Sequence, residues 1–154
     1  MTALSGYLPV VRNSGNDWTT SAAPYPGEGA GGGDLLPELL AAMRAEPSLA
    51  LNSLRIQVPT APLSSAAHYG VLRYDALGTG KATLVAMNLG GAKSTVQLDL
   101  SGMPPQLLGQ RPRDLLCTGD GCPQPIALEN LTSLTVDGYG VSAYTGLQLP
   151  RWEP

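Results

Sequence analysis

Few residues of this chain have side chains suited to catalysis, and they do not fall into a known arrangement. His68 is the single histidine, so any Ser–His or Cys–His nucleophile would depend on it. Ser64 and Ser65 precede it, but no Gly-x-Ser-x-Gly turn surrounds them. His68 stands directly before a strand-like stretch, where a structural role is more common than catalysis. The sequence therefore predicts no nucleophilic catalyst.

The two cysteines, Cys117 and Cys122, enclose the loop "TGDG". Two thiols and one distant histidine are fewer than the four ligands of a closed zinc site, and the spacing is not that of a Cys-x-x-Cys redox motif. We favour a disulfide over two free thiols. Such a bond would stabilise the fold by about 2 kcal/mol and would indicate an oxidising compartment. We expect no metal and no cofactor.

The triplet Asn130-Leu131-Thr132 is an acceptor sequence for N-glycosylation. It agrees with the disulfide in favouring an extracellular or secretory location, although the first residues lack the basic and apolar stretches of a signal peptide.

Carboxylates are also spread in a way that does not suggest catalysis. Glycosidic bond hydrolysis needs two acidic side chains that face each other at about 5–10 Å. Asp34, Asp75, Asp114 and Asp137 each stand beside turn or cap signals, where aspartate commonly has a structural role. The stretch "GEGAGGGD" follows no strand and precedes no Lys-Ser/Thr pair, so it does not predict a phosphate-binding loop. We expect the chain to carry no catalytic residues.

Composition excludes several other functions. The 154 residues fit one domain, and 43% hydrophobic residues are enough for a core. The net charge of −3, with scattered Lys and Arg, offers no basic stripe for nucleic acid. The apolar runs fall short of the ~20 residues needed to span a bilayer.

The first third of the chain divides into a loop and a helix. Residues 1–33 are rich in Gly, Pro, Asn and Asp and read as a loop. Asp34 is a good N-cap and Pro47 ends the pattern, so the sequence predicts a helix over 34–46. Its apolar face would dock on another surface, because so short a helix is unstable alone. That face consists of Leu36, Leu39, Leu40 and Met43.

After the helix the hydrophobic period changes to two, which indicates strands. Within 52–148 the alternation predicts strands at 52–58, 68–75, 81–89, 94–100 and 113–117, with two more inside 133–146. The run 81–89 is apolar throughout and predicts a central strand covered on both faces. The expected fold is mainly β, an antiparallel β-sandwich preceded by one amphipathic helix and a Gly/Pro-rich N-terminal loop, with residues 149–154 as a tail.

The order of these pieces resembles the C-terminal region of the α-amylase family, glycoside hydrolase family thirteen. In that family the last helix of the catalytic barrel and the first strands of the following all-β domain C carry recurring residues. The helix pattern is matched by Leu39, Leu40, Arg44, Pro47 and Leu49, and the strand pattern by Arg73, Leu84, Val85, Asn88 and Leu89. The final strands match more loosely at Leu134, Gly138, Gly140 and Tyr144.

The resemblance covers roughly 28–147 and implies a domain without chemistry of its own. The family's catalytic carboxylates lie on barrel strands upstream of this region, so none has a counterpart here. Related ectodomains that lack catalysis have the same architecture. The resemblance therefore implies a non-catalytic domain C that packs against a barrel or a partner chain.

Two other functions fit the sequence. One is a carbohydrate-binding module in which exposed aromatic rings stack on a polysaccharide; the residues of interest are Trp18, Tyr25, Tyr69 and Trp152. For Trp18 and Tyr25, anchoring of the loop is the favoured interpretation, because aromatic side chains are large apolar groups first. The other function is a structural or assembly subunit of a larger extracellular complex, which would dock through the leucine face of the helix.

Overall fold

The computed structural model describes residues 41, 44–50, 52–61, 67–117 and 122–152. These residues form eight β-strands in chain order: β1 Leu54–Val58, β2 Thr60–Ala61, β3 His68–Tyr74, β4 Lys81–Asn88, β5 Ser94–Leu98, β6 Arg113–Asp114, β7 Ser133–Val136 and β8 Val141–Gln148. Short 3₁₀ turns occupy Pro47–Leu49, Pro105–Leu107 and Leu128–Asn130.

The strands form two antiparallel sheets that face each other. The larger sheet has the order β1-β3-β4-β8-β6 and the smaller one the order β2-β5-β7. The main core lies between them, where Leu72 and Leu84 of the larger sheet meet Val96 and Leu134 of the smaller one. The prediction of a mainly β, antiparallel sandwich is confirmed.

Most predicted strands are present, with shorter bounds in places. The predicted strand 94–100 ends at Leu98 and 113–117 shrinks to Arg113–Asp114. In β5 the alternation holds, since Val96 and Leu98 are buried whereas Thr95 and Gln97 are exposed. Strand β2 was not predicted, because two residues between prolines show no alternation. It pairs with β5 through Thr60↔Leu98.

The predicted helix over 34–46 lies mostly outside the described residues. Ala41, Arg44 and Ala45 have helical backbone, and Glu46 is extended with φ −110° and ψ 101°. The chain thus leaves the helical conformation at the position that Pro47 predicts. The domain boundaries stay predictions.

One buried amide, that of Asn88, joins two turns at one end of the sandwich. Its Nδ2 lies 2.8 Å from the carbonyl oxygen of Ala92 and 3.1 Å from that of Asp137, and its Oδ1 accepts from the Gly90 amide at 2.9 Å. These bonds hold the β4–β5 and β7–β8 connections against each other. The approach is so close that a Cβ on Gly138 would overlap the carbonyl oxygen of Gly91.

We predict that Gly138→Ala destabilises the fold by about 1–3 kcal/mol, because the added methyl group must push two backbone segments apart. Urea denaturation followed by circular dichroism measures this loss. Gly102→Ala is the matched control, since a Cβ there meets nothing within 4 Å, and we expect it to change stability by no more than about 0.5 kcal/mol. Equal effects of the two variants would contradict the close contact.

Candidate functional site

The five-stranded sheet has a second covered face, which points away from the smaller sheet and which we call the outer face. Strand side chains alternate between faces, so the outer face takes every second residue of the central strands. Its members are Val71 and Arg73 of β3, Thr83, Val85 and Met87 of β4, and Ala143 and Thr145 of β8, all of them buried.

The outer face is covered in part by the residues that lead from the helical turn into β1. We call residues 46–50 and 52–53 the crossing segment. Its Leu49 is completely buried and forms a small apolar cluster with Val71, Val85, Met87 and Ala143. The crossing segment therefore packs on the sheet as a core element does.

A ring of hydrogen bonds joins the crossing segment to two central strands. Ser48 Oγ lies 3.1 Å from Glu46 Oε1 and 2.7 Å from Thr83 Oγ1. Thr83 donates to Thr145 at 3.2 Å, and Thr145 donates to Glu46 Oε2. Ser48 has one hydroxyl hydrogen, which it donates either to Glu46 or to Thr83. The ring thus connects β4, β8 and the crossing segment through four buried side chains.

Arg73 ties the same segment to a third strand, β3. Its Nε donates to Ser53 Oγ at 2.9 Å, and its Nη2 donates to the carbonyl oxygen of Ala50 and to Ser53 Oγ. Burial, followed by the positive charge of the opposite residue Arg55, lowers the pKa of the Arg73 guanidinium. Within the described residues Arg73 Nη1 has no hydrogen-bond partner. Its acceptors among the described residues are all neutral, so the bonds of Arg73 there hold the segment by hydrogen-bond geometry.

The outer face and the crossing segment form a contact that attaches one chain segment to the sheet. Thr145 donates to one oxygen of the Glu46 carboxylate, the other oxygen lies 3.1 Å from Ser48 Oγ, and neither faces a second carboxylate in the ring. In the part of the chain that the structure describes, no group of three or more His, Cys, Asp or Glu side chains is placed to hold a metal ion. No helix in the described part is long and apolar enough to span a membrane.

His68 connects the two sheets. Its Nε2 lies 2.8 Å from Ser94 Oγ of the smaller sheet. Its Nδ1 is buried and makes no hydrogen bond within the described residues. Among the described residues no third group orients the imidazole as in a Ser-His-Asp arrangement.

The structure locates several of the sequence-predicted site residues. Cys117 and Cys122 form a disulfide with their Cα atoms 5.6 Å apart, which confirms the predicted pairing. Asn130 is exposed at the end of a 3₁₀ turn, and its glycosylation stays a prediction. The predicted partner-docking residues Leu36, Leu39, Leu40 and Met43 lie outside the described residues, as do Trp18 and Tyr25.

The two other aromatic residues differ in their surroundings. Tyr69 is partly buried and packs against the apolar cluster of the outer face. Trp152 is 71% exposed, on a C-terminal tail that is bonded to the β3–β4 turn. Trp152 N donates to the carbonyl oxygen of Ala76 and Leu149 N to that of Gly80, both at 2.8 Å. Trp152 is thus an exposed indole on an anchored backbone.

The β3–β4 turn that holds this tail is itself closed by a carboxylate. Asp75 Oδ2 accepts from the amide and the hydroxyl group of Thr79 at 2.6 and 2.7 Å. The Thr79 amide first, and then its hydroxyl group, lower the pKa of Asp75.

Sequence reasoning did not identify the ring as a site. Arg73 appeared only as a matched family residue, and Glu46, Ser48, Thr83 and Thr145 were not singled out. A signal was present, because Arg73 and Thr83 are polar residues inside apolar central strands, and buried polar groups require partners. Their meeting with Glu46 depends on strand register, which the sequence does not give.

Comparison with known proteins yields structural neighbours only. No family model and no curated protein matches the chain. Among solved structures, it is similar to isomaltulose synthase from Erwinia rhapontici NX5 (14% identity, TM-score 0.45, 73% of this chain and 17% of that chain). It is also similar to trehalose-6-phosphate hydrolase from Bacillus licheniformis (18% identity, TM-score 0.47, 70% and 17%).

A trehalulose synthase, MutB, gives a comparable match, with 17% identity, TM-score 0.45, and 70% and 16% of the two chains covered. These neighbours are glycoside hydrolase family thirteen enzymes, the family that the sequence resemblance names. The chain spans about a sixth of their length. Since the identities and TM-scores are low, the function proposed below depends on this chain's own residues.

We predict that Thr145→Val destabilises the protein by about 1–3 kcal/mol, because it keeps the volume but leaves a buried carboxylate oxygen without its donor. Thermal and urea denaturation measure the change. Thr135→Val, on the exposed side of β7, is the matched control and should shift stability by less than about 0.5 kcal/mol. If both variants behave alike, the bond between Thr145 and Glu46 does not contribute.

We also predict an acid-dependent contribution of Asp75. Its folded pKa is lowered, so its stabilisation is present above the unfolded value of about 3.9 and is lost as pH falls through the lower folded pKa. Between pH 6 and pH 2 the melting temperature of the unmodified protein should fall more steeply than that of Asp75→Asn. Parallel melting curves over this range would argue against the Thr79 bonds.

Proposed function

We propose that this chain is a non-catalytic, C-terminal β-sandwich domain of an α-amylase-like protein, and that its outer face and crossing segment support an upstream module or partner chain. The observation that carries the proposal is the buried polar layer on the outer face. Six buried polar or charged residues, Glu46, Ser48, Ser53, Arg73, Thr83 and Thr145, lie together there. Buried polar groups need hydrogen-bond partners, and the crossing segment supplies them here, so the part of the chain that leads toward the upstream module is attached firmly to the outer face.

The direction of the chain supports the same function. Residues 41, 44 and 45 have helical backbone and exposed side chains immediately before the crossing segment. An upstream module would therefore connect at the point where the outer face is covered. The resemblance of the sequence to domain C of the α-amylase family agrees with this arrangement and supplies a catalytic barrel as the proposed module.

The disulfide and the exposed Asn130 are compatible with an extracellular or secretory location, which we include in the proposal. The alternative assembly role in a larger extracellular complex differs in its surface, since the partner would dock on the leucine face of the predicted helix, which lies outside the described residues.

The first test is the intact mass of the native polypeptide in its source. The proposal expects a mass larger than the 15.9 kDa of this chain by a barrel of about 250 residues, or a tightly bound partner chain of that size. A native monomer of 15.9 kDa without any partner would overturn it.

Photo-crosslinking in the native context tests which face is used. We expect Gln57→Cys, labelled with benzophenone, to crosslink to the upstream module, because Gln57 is exposed and opposite Val71 on the outer face. Gln97→Cys is the matched control, since Gln97 is exposed on the smaller sheet. Crosslinks from Gln97 and none from Gln57 would place the interface on the smaller sheet and contradict the proposed role of the outer face.

A second function, carbohydrate binding, is favoured by one observation, the exposed and anchored Trp152. Indole rings provide flat apolar surfaces on which sugar rings stack. Leu77, in the adjoining turn, is 73% exposed and would extend the surface. Of the aromatic residues proposed for stacking that the structure describes, Trp152 has the open face and Tyr69 does not.

We predict that Trp152→Ala abolishes any binding of soluble glucans, measured by calorimetry with maltoheptaose and with a β-glucan oligosaccharide. Tyr139→Ala removes another exposed aromatic residue, 51% exposed in the β7–β8 turn, and should leave binding unchanged. Absence of binding in the unmodified protein would eliminate this function without affecting the first.

A further inference from the structure

The hydrogen-bonded ring is a poor source of net stability. Removing a carboxylate from water costs several kcal/mol, and replacing buried charged networks by apolar groups of similar volume is often neutral or stabilising. Leu49 already attaches the crossing segment to the sheet by apolar contact. Net stability therefore does not explain why four polar residues occupy these buried positions. The four are Glu46, Ser48, Thr83 and Thr145.

The hydrogen bonds of the ring depend on distance and angle, whereas apolar contact does not restrict the orientation of the crossing segment in this way. Leu49 rests on Val, Met and Ala side chains, and apolar contact of this kind is non-directional. A hydrogen bond between hydroxyl and carboxylate oxygens loses most of its strength when its geometry is changed. The ring fixes the crossing segment relative to β4 and β8, and Arg73 fixes it relative to β3.

We propose that the ring of Glu46, Ser48, Thr83 and Thr145 is a conformational lock that selects one placement of the crossing segment on the outer face. The ring attaches the segment to β4 and β8, and Arg73 attaches it to β3, so the position and the rotation of the segment are fixed against three adjacent strands. The lock therefore sets the direction in which the chain leaves residue 46 toward its N-terminal side. Its biological use, a single orientation of the upstream module, depends on the proposed function, but the lock itself is a property of this chain.

The test separates orientation from stability in the isolated chain. The variant Glu46→Met/Ser48→Ala/Thr83→Val/Thr145→Val replaces the ring by apolar side chains of similar volume. We expect its urea midpoint to stay equal or to rise, because the buried carboxylate is gone. We expect the Leu49 and Ala50 amides, which donate within the Pro47–Leu49 turn, to exchange with solvent about 10–100 times faster, whereas the β4 amides keep their rates.

Distances between spin labels give an independent readout. Labels at Arg44→Cys and Lys81→Cys, both exposed positions, report the placement of the chain before the crossing segment relative to β4. The native cysteines are engaged in the disulfide and do not compete for the label. We expect a narrow distribution with the ring intact and a broad or divided one without it. Thr95→Val/Thr135→Val, on the exposed side of the smaller sheet, is the matched control and should keep it narrow.

Two results would overturn the proposal. One is unchanged exchange at Leu49 and Ala50 together with an unchanged distance distribution, which would show that apolar packing and the Arg73 hydrogen bonds place the segment without the ring. The other is a fall in the urea midpoint that accounts for the faster exchange, which would make the ring an ordinary stabilising contact. If the quadruple variant does not fold, Glu46→Met/Thr145→Val, which also removes the buried carboxylate, is measured and judged by the same criteria. Neither readout involves an upstream module, so failure here is distinct from failure of the proposed function.

Discussion

Strand β4 is covered on both faces, and this constraint determines much of the rest of the structure. The smaller sheet lies over one face and the crossing segment over the other, so every buried polar side chain of β4 must find its partner inside the protein. Thr83 does so in the ring with Glu46, Ser48 and Thr145. Asn88, at the end of the strand, does so by joining two turns.

Much of this architecture could be predicted from the sequence, for a physical reason. The alternation of β5 indicates one covered face, and the continuous apolar run of β4 indicates two. Which faces of a strand are buried can therefore be predicted from the order of polar and apolar residues within that strand. Strand β2 has only two residues, which are too few to show an alternation of polar and apolar side chains. The disulfide was predictable because only two cysteines are present and a short, Gly-rich loop can bring them together.

The joint on the outer face was not predictable in the same way. Glu46 and Thr145 are 99 positions apart and meet only through the register of three strands. A β-bulge lies between Ala82 and Leu84, where β4 pairs with β8, and it alters that register locally. The sequence indicates that Thr83 and Arg73, as polar residues in apolar strands, need hydrogen-bond partners. Which residues become those partners depends on the tertiary structure. The same holds for Trp152, whose exposure depends on how the tail pairs with a distant turn.

The position of β8 in the larger sheet has a consequence for how the domain is made. Strand β8 comes after every other strand in the chain, yet it lies between β4 and β6 and is the partner through which β6 joins the sheet. During synthesis β4 therefore has one edge unpaired, and β6 has no place to pair, until residue 148 has left the ribosome. Contacts of such long sequence separation form slowly, and the exposed edge of a growing β-sheet invites pairing with other chains. The nascent domain thus exposes an unpaired sheet edge until its last strand is made, which makes synthesis of β8 the step that ends its exposure to pairing with other chains.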